Sequence, residues 1–260
     1  MSSKNSRAVL TVDDLTMAYG DFVLQRALSF TVNQGDIFFI MGGSGCGKST
    51  LLRHLIGLKR PAAGRICYGD VDFWAMDSDG RARIMQQAGI LYQGSALWSS
   101  MTLAENIALP LQRYSDLRPA LIRQLVNLKL SYVGLAGFAD YYPSQLSGGM
   151  RKRAAMARAI ALDPKFLFFD EPSAGLDPVS ASRLDDLILE LRDTLGATVI
   201  IVSHELASIY AIANNSVYLD NKTRTMLATG DPKQLLKTSD QPAVIDFLTR
   251  GTGDREGACQ

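Results

Sequence analysis

Asp36-Ile-Phe-Phe-Ile-Met41 runs directly into Gly42-Gly-Ser-Gly-Cys-Gly-Lys48-Ser49, and these two adjoining segments decide the fold. The first is a continuous apolar run, typical of a strand that is buried on both faces. The second matches the pattern GxxxxGK[ST], and helical spacing of apolar residues continues from Lys48 to Leu58. Strand, glycine loop and helix is the order that a phosphate-binding loop requires, because the loop amides and the helix start then face one anion.

The residue types of this loop predict how the phosphate is held. Glycines let backbone N–H groups face the phosphate oxygens, Lys48 is expected to reach the β and γ phosphates, and Ser49 is expected to bind Mg²⁺. The alternative is a glycine-rich turn that binds nothing. We interpret Cys46 as a small residue that fills the loop, rather than as a redox switch, because no second cysteine is adjacent in sequence.

A second apolar run, Phe166-Leu-Phe-Phe169, ends in the two acids Asp170 and Glu171. A buried parallel strand would deliver both carboxylates to its C-terminal end, where sites of α/β proteins lie. Asp170 is then expected to hold Mg²⁺ through water and Glu171 to polarise an attacking water. The alternative is a strand that leads to two solvated acids.

Composition excludes several classes of protein. Hydrophobic residues make up 47 % and charged residues 20 % of the 260-residue chain, which is ordinary for a folded globular protein and not for a disordered or fibrous one. The formal net charge of +1 argues against nucleic acid as a partner. Three cysteines without CxxC spacing and only two histidines argue against a zinc framework or a disulfide scaffold, and favour a reducing compartment.

Patterning along the chain predicts the remaining elements. Two antiparallel strands are expected first, a helical insertion from about Arg81 to Tyr142 next, and alternating strands and helices after Lys165. Thr102 to Glu105 has the form of a capping box, and Asp177-Pro178 and Gly196 mark the two ends of a helix. The other predicted segments are strands at residues 9–15, 22–32, 198–202, 216–219 and 225–228 and helices at 117–130, 150–162, 179–195 and 244–248.

Taken in this order, the motifs resemble the ATP-binding subunit of an ABC transporter, over about residues 9–230. Leu146-Ser147-Gly148-Gly149-Met150 is similar to the family's signature LSGGQ, with Met in place of the final Gln. The resemblance implies an α/β fold: a RecA-like P-loop core with an N-terminal antiparallel β subdomain and a helical subdomain near residues 85–160. It implies one domain over residues 8–250, and we expect residues 251–260 to be a frayed tail.

The resemblance also assigns roles to single residues. It implies ATP and Mg²⁺ as ligands, with Ser49, Gln93 and Asp170 at the metal and Glu171, Gln93 and His204 in catalysis. Tyr19 would stack on adenine, and Asp177 would form the D-loop while also capping a helix. The alternatives are a core tyrosine, a polar turn residue at position 93 and a capping or core histidine. The expected ATP-binding residues are Tyr19, Gly42, Gly43, Ser44, Gly45, Cys46, Gly47, Lys48, Ser49 and Thr50.

Partners follow from the same resemblance. The family's cassettes pair head to tail, so Ser147, Gly148 and Gly149 would contact the γ phosphate held by a second copy. A polytopic permease would hold the subunit at the cytoplasmic face of a bacterial inner membrane. Leu97, Trp98 and Met101 form a segment that is either core packing or an exposed patch for that permease.

A finer resemblance points to the MCE-associated, Mla-type phospholipid transporters. It rests on the helix after Met150 and on the segment from Gln241 to Gly251, and it implies an MCE-domain protein and a small STAS-domain subunit as further partners. Importers of amino acids or other small solutes are the alternative. An ATPase of DNA repair or translation and a non-hydrolysing scaffold are disfavoured, the first by the lack of coiled coils or a second cassette, the second by intact Lys48, Asp170, Glu171 and His204.

Overall fold

A computed structural model describes residues 7–250 of the chain, so the tail predicted at 251–260 lies outside the described residues. Contacts divide the described chain into two units, one of residues 7–84 and 198–250 and the other of residues 85–197. The strands are β1 (Ala8–Tyr19), β2 (Phe22–Asn33), β3 (Ile37–Gly42), β4 (Ala63–Tyr68), β5 (Val71–Asp72), β6 (Ala88–Leu91), β7 (Phe166–Asp170), β8 (Thr198–Val202), β9 (Asn215–Asp220) and β10 (Thr225–Thr229). The helices are α1 (Lys48–Leu55), α2 (Ser78–Met85), α3 (Leu103–Tyr114), α4 (Pro119–Tyr132), α5 (Gly148–Ala159), α6 (Pro178–Leu195), α7 (Leu206–Ile212), α8 (Pro232–Thr238) and α9 (Pro242–Leu248), with a 3₁₀ turn at Pro143–Gln145.

The first unit begins with an antiparallel sheet in the order β2-β1-β4-β5. β1 and β2 pair with Leu10 opposite Val32 and Val12 opposite Phe30, which confirms the two antiparallel strands predicted at the start of the chain. Every second residue of β1 is buried in its first half, as expected for a sheet with one face in the core. β4 and β5 were not predicted.

A second set of strands in this unit has the order β10-β9-β3-β8. β3 pairs in parallel with β8 on one side and β9 on the other, so that Ile40 lies opposite Val202 and Val217. All six residues of β3 are buried, as is typical of a strand that has neighbouring strands on both edges and is covered on both faces of the sheet. The continuous apolar run that precedes the glycine loop is therefore a central strand, as predicted.

The second unit pairs β6 with β7 in parallel and adds the helices α3 to α6. α3 starts with the predicted capping box: Thr102 N donates to Glu105 Oε2 at 2.7 Å, and Glu105 N donates to Thr102 Oγ1 at 3.2 Å. Asp177 caps α6, and Gly196 ends it with φ of 63°. The predicted start of α3 and the two predicted ends of α6 are thus confirmed.

The prediction that residues 81–142 are entirely helical was wrong, because β6 lies within them. Its four residues, Ala-Gly-Ile-Leu, are too few to show a period of two. Gly89 explains why a strand fits here: a Cβ at this position would lie 2.2 Å from the Ala159 carbonyl oxygen and 2.9 Å from Leu167 Cδ2. Only glycine lets this backbone pass so close to the end of α5.

Within residues 7–250, no helix is both long enough and apolar enough to cross a bilayer.

Candidate functional site

The glycine loop between β3 and α1 has a backbone that other residues adopt only with strain. Gly42, Gly45 and Gly47 have φ of 143°, 76° and 99°. A Cβ on Gly42 would lie 2.3 Å from the Leu219 carbonyl oxygen of β9, so glycine is required there by contact as well as by conformation. The tip of the loop, Gly43 to Gly45, is exposed.

The start of α1 is open to an anion. Its N-cap, Gly47, offers no side-chain acceptor, and the first turn contains no acidic residue. The first backbone N–H groups of a helix have no partner within the helix and carry the positive end of its dipole. Together with the loop amides they form a cradle that suits a phosphate group.

Lys48 supplies the full positive charge of this cradle. Its side chain is buried, and Nζ donates to the carbonyl oxygens of Gly42 at 2.8 Å and Gly43 at 2.9 Å. The ammonium group therefore lies back across the loop, beside its exposed tip. The donor set of amides and one ammonium fits a polyphosphate, which offers many oxygen acceptors.

Tyr19 contacts the same helix from the end of β1. Its hydroxyl lies 3.3 Å from Thr50 Oγ1, about half of the residue's surface is exposed, and Lys59 Nζ lies 2.9 Å from the ring centroid. The hydrogen bond with Thr50, helped by the charges of Lys59 and Arg53, lowers the pKa of Tyr19. The structure thus brings the predicted adenine-stacking residue to the first turn of α1, with Lys59 over one face of its ring.

Cys46 is buried in the loop and forms no disulfide within residues 7–250. Burial raises the pKa of its thiol above the ordinary value, although the nearby Lys48 charge opposes this shift. Since the thiolate is the reactive form, the thiol is a poor nucleophile at neutral pH. Its environment supports the interpretation of Cys46 as a filling residue.

In the second unit, β7 ends at the predicted pair of acids. Phe166 to Phe169 are buried, Asp170 is half-buried, and Glu171 is 8 % exposed. Glu171 has φ of 50°, in the left-handed region that non-glycine residues seldom adopt. A backbone held in this way requires the surrounding turn to fix it.

Lys152 of α5 fixes that turn, and the sequence did not single it out. Its Nζ donates to the carbonyl oxygens of Pro172 and Ala174, each at 2.6 Å, and of Glu171 at 3.3 Å. Burial lowers the pKa of Lys152, and the Glu171 charge opposes this effect. Helical spacing could have revealed its burial, because Ala155 and Met156, three and four residues on, are also buried.

The signature segment begins α5 as predicted, although the helix spans Gly148–Ala159 rather than residues 150–162. Ser147 is the N-cap and accepts a hydrogen bond from Met150 N at 3.3 Å. Asp177 caps α6 by accepting from Ser180 N at 3.0 Å and Ser180 Oγ at 2.5 Å, and these bonds lower its pKa. A cavity of about 370 Å³ has Ser147, Gly148, Gly149, Met150 and Asp177 among its lining residues.

Gln93 is exposed, and the segment after it is held from two helices of the same unit. Arg158 of α5 donates to the carbonyl oxygens of Ala96 at 2.8 Å and Ser95 at 3.3 Å, both residues with positive φ. Asn106 of α3 is buried and bonds both N and O of Trp98. Neither anchor was singled out from the sequence, since no local motif marks them, and the Arg158 bonds join residues more than sixty positions apart.

The predicted apolar segment, Leu97 to Met101, overlaps the backbone that Arg158 and Asn106 hold. Trp98 is 60 % exposed, whereas Leu97 and Met101 are half-buried. The alternative of core packing therefore does not hold for the Trp98 side chain.

His204 follows β8 in the first unit. Its side chain is 57 % exposed, and Nε2 lies 3.8 Å from Glu205 Oε1. The glycine loop, Tyr19 and His204 thus belong to the first unit, and Gln93, Asp170, Glu171 and the signature segment belong to the second.

Known proteins resemble the chain over most of its length. The family model "ABC transporter" matches residues 25–174. The intermembrane phospholipid transport system ATP-binding protein MlaF of Haemophilus influenzae is 38 % identical over 95 % of this chain and 92 % of its own length. The probable ribonucleotide transport ATP-binding protein mkl of Mycobacterium tuberculosis is 37 % identical over 92 % of this chain, which spans 66 % of that relative's length.

Solved structures agree with the predicted fold class. The structure of cbiO1 from Clostridium perfringens, part of the ABC transporter complex cbiONQ, superposes with a TM-score of 0.82 at 26 % identity, over 95 % of this chain and 98 % of that chain. The dimeric structure of the bacterial ABC transporter cassette MJ0796 gives a TM-score of 0.78 at 26 % identity, over 85 % and 98 % of the two chains. The predicted α/β fold is confirmed.

We expect Lys152→Met to destabilise the second unit. The substitution keeps the side chain's length but leaves buried carbonyl groups without their donor, which costs about 1–3 kcal/mol. Thermal unfolding and hydrogen exchange of residues 171–175 measure the effect. Lys165→Met is the control, because Lys165 is exposed. Equal unfolding and exchange in the two variants would show that Lys152 does not hold the turn.

Proposed function

The chain belongs to the ABC transporter family, and from this premise we propose that it hydrolyses ATP to power a membrane permease that moves phospholipid between membranes. One observation carries the nucleotide part of the proposal. The buried Lys48 ammonium lies across a glycine loop whose helix start has no side-chain cap, which is a site built for a polyphosphate.

The proposed roles of the site residues follow the family's motifs. Residues 42–50 and Tyr19 bind ATP, with Lys48 at the β and γ phosphates. Ser49, Gln93 and Asp170 hold Mg²⁺, which when bound neutralises phosphate charge. Glu171 takes the position of the group that polarises water, and His204 contacts the γ phosphate. The left-handed turn at Glu171 supports its role, since such backbone conformations cluster at functional sites.

A second copy completes each site in this proposal. Ser147, Gly148 and Gly149 supply a capped helix start that offers amides to the γ phosphate of the partner, and Asp177 lies beside them. The dimeric cassette of MJ0796, and a second structure of that cassette described as a post-hydrolysis state bound to ADP and Pi, support this arrangement. One chain alone is then inactive.

The phospholipid cargo is supported by the names of the MlaF relatives, and they also suggest a multi-subunit system. We propose a polytopic permease, an MCE-domain protein and a small STAS-domain subunit as partners, at the cytoplasmic face of a bacterial inner membrane. Residues 8–250 would act as one ATPase domain. A small solute as cargo is the second candidate, favoured by the name of the mkl relatives, which describes ribonucleotide transport.

A mixing experiment tests both hydrolysis and the shared site. Lys48→Ala removes the phosphate-binding charge, Ser147→Arg blocks the facing helix start, and each should lower ATP turnover about 100-fold or more. A heterodimer of the two variants keeps one intact site. Steady-state turnover in the mixture should therefore exceed that of either variant alone.

The control for this experiment mixes Lys48→Ala with Glu171→Gln. Both substitutions then lie on the same side of the shared site, so no heterodimer contains an intact one. Recovery in this control, or its absence in the first mixture at every ratio, would contradict the proposed pairing. A wild-type protein without ATP turnover would contradict the proposed activity.

A binding experiment tests the coupling to a permease. Trp98→Ala should leave the melting temperature nearly unchanged, because the indole is exposed, but should weaken capture by detergent-solubilised permease by about 2 kcal/mol. Tyr114→Ala, at a similarly exposed aromatic of α3, is the control. A large loss of thermal stability with normal capture would instead assign Trp98 to packing.

A further inference from the structure

A buried glutamine of β2 joins two distant stretches of backbone in the first unit. Gln25 has no exposed surface, and its Nε2 donates to the carbonyl oxygen of Cys46 at 2.8 Å and to that of Asp220 at 2.9 Å. Because both acceptors are carbonyl oxygens, the amide nitrogen must face them. One side chain therefore ties β2 to the glycine loop and to the end of β9.

Packing alone does not account for an amide at this position. The other buried residues of β2, Leu28, Phe30 and Val32, are apolar. Within the described residues 7–250, Gln25 Oε1 is buried without a hydrogen-bond partner. An apolar side chain of similar size would avoid the cost of burying that oxygen. The reason for an amide here must lie in the two bonds that its nitrogen makes.

The bond to Cys46 has a consequence for the next residue. In a trans peptide the C=O and the following N–H point in opposite directions. By holding the Cys46 carbonyl toward β2, Gln25 turns the Gly47 N–H away from β2. Gly47 is the N-cap of α1 and has φ of 99°, so its conformation is one that the loop must impose. This N–H is one of the amides of the anion cradle.

The second acceptor, the Asp220 carbonyl oxygen, belongs to a turn that the Asp220 carboxylate stabilises. The Asp220 carboxylate accepts from Thr223 N at 2.7 Å, Thr223 Oγ1 at 2.8 Å and Lys222 N at 3.1 Å. Burial acts to raise the pKa of Asp220, but these hydrogen bonds hold it below the ordinary value, so the carboxylate accepts them down to a lower pH than an ordinary aspartate would. Arg26 N of β2 also donates to Arg224 O at 2.9 Å, which fastens the strand to the same turn.

We propose that Gln25 is a positioning residue that holds the Cys46–Gly47 peptide in the orientation that phosphate binding requires. It does not touch the ligand itself. The loop then binds nucleotide without first turning this peptide, which lowers the cost of binding. The inference rests on the proposed nucleotide binding and names a residue outside the loop motif that sets its affinity.

The test compares Gln25→Met with wild type in nucleotide binding, melting temperature and the ¹⁵N–¹H signal of Gly47. Methionine keeps the length of the side chain but lacks the two donors. We expect ADP and ATP to bind about 10-fold more weakly, because the peptide loses its fixed orientation. In the nucleotide-free protein the Gly47 signal should shift or broaden. Gln25→Asn, whose amide is one methylene short of the two acceptors, should show the same pattern.

Val32→Ala controls for a merely structural effect. Val32 is buried at the other end of β2, opposite Leu10, so its truncation should lower the melting temperature but leave nucleotide affinity unchanged. Gln25 variants that bind nucleotide as tightly as wild type, with an unchanged Gly47 signal, would overturn the inference. Absence of nucleotide binding by wild type would instead contradict the proposed function.

If the Gln25 variants do not fold, a measurement on wild type tests the inference instead. If Gln25 holds the peptide before nucleotide binds, as we propose, the carbonyl ¹³C signal of Cys46 should change little when ADP is added, whereas the amide signal of Gly47 should move. A large change at the Cys46 carbonyl would mean that the peptide turns on binding, and the inference would be wrong.

Discussion

The close contact between Gly42 and the Leu219 carbonyl is the constraint on which the first unit depends. Any Cβ at residue 42 would lie 2.3 Å from that oxygen. The last residue of β3, which passes beside β9, must therefore be glycine. The chain then continues through the glycine loop into α1, whose N-cap makes no side-chain hydrogen bond. Lys48 then closes over the loop by bonding the carbonyls of Gly42 and Gly43. The proposed binding of ATP depends on this one passage of backbone past another.

The second unit uses a buried lysine for a comparable purpose. Lys152 lies on α5, the helix capped by Ser147, and donates to carbonyl oxygens of the turn that begins at Glu171. A single side chain thus links the signature helix to the proposed water-polarising residue. Arg158, near the other end of the same helix, bonds the backbone between Gln93 and Trp98. A shift of α5 would therefore displace both the turn at Glu171 and the backbone between Gln93 and Trp98. In the proposed function, α5 is a physical route from nucleotide to permease.

The sequence predicted features that depend on local rules. The P-loop, the capping box at Thr102, the cap at Asp177 and the buried run before Asp170 each follow from residues close together in the chain. It missed β6, because the fit of Gly89 against Ala159 depends on contact between residues seventy positions apart. It missed Gln25 and Lys152 for the same reason, since the carbonyl groups that they bond are brought to them by the fold. Motifs thus located the candidate site, but not the residues that hold it in shape.

In the proposed function, two copies enclose ATP between the P-loop of one and the signature segment of the other. Light scattering of Glu171→Gln with and without saturating Mg-ATP tests it most directly. The variant keeps Lys48, Ser49 and Asp170, so it should bind ATP and not cleave it. We predict a monomer without nucleotide and a stable dimer with ATP, while wild type returns to monomer as ATP is consumed. A variant that stays monomeric with ATP bound, or that hydrolyses ATP at the wild-type rate, would contradict the account.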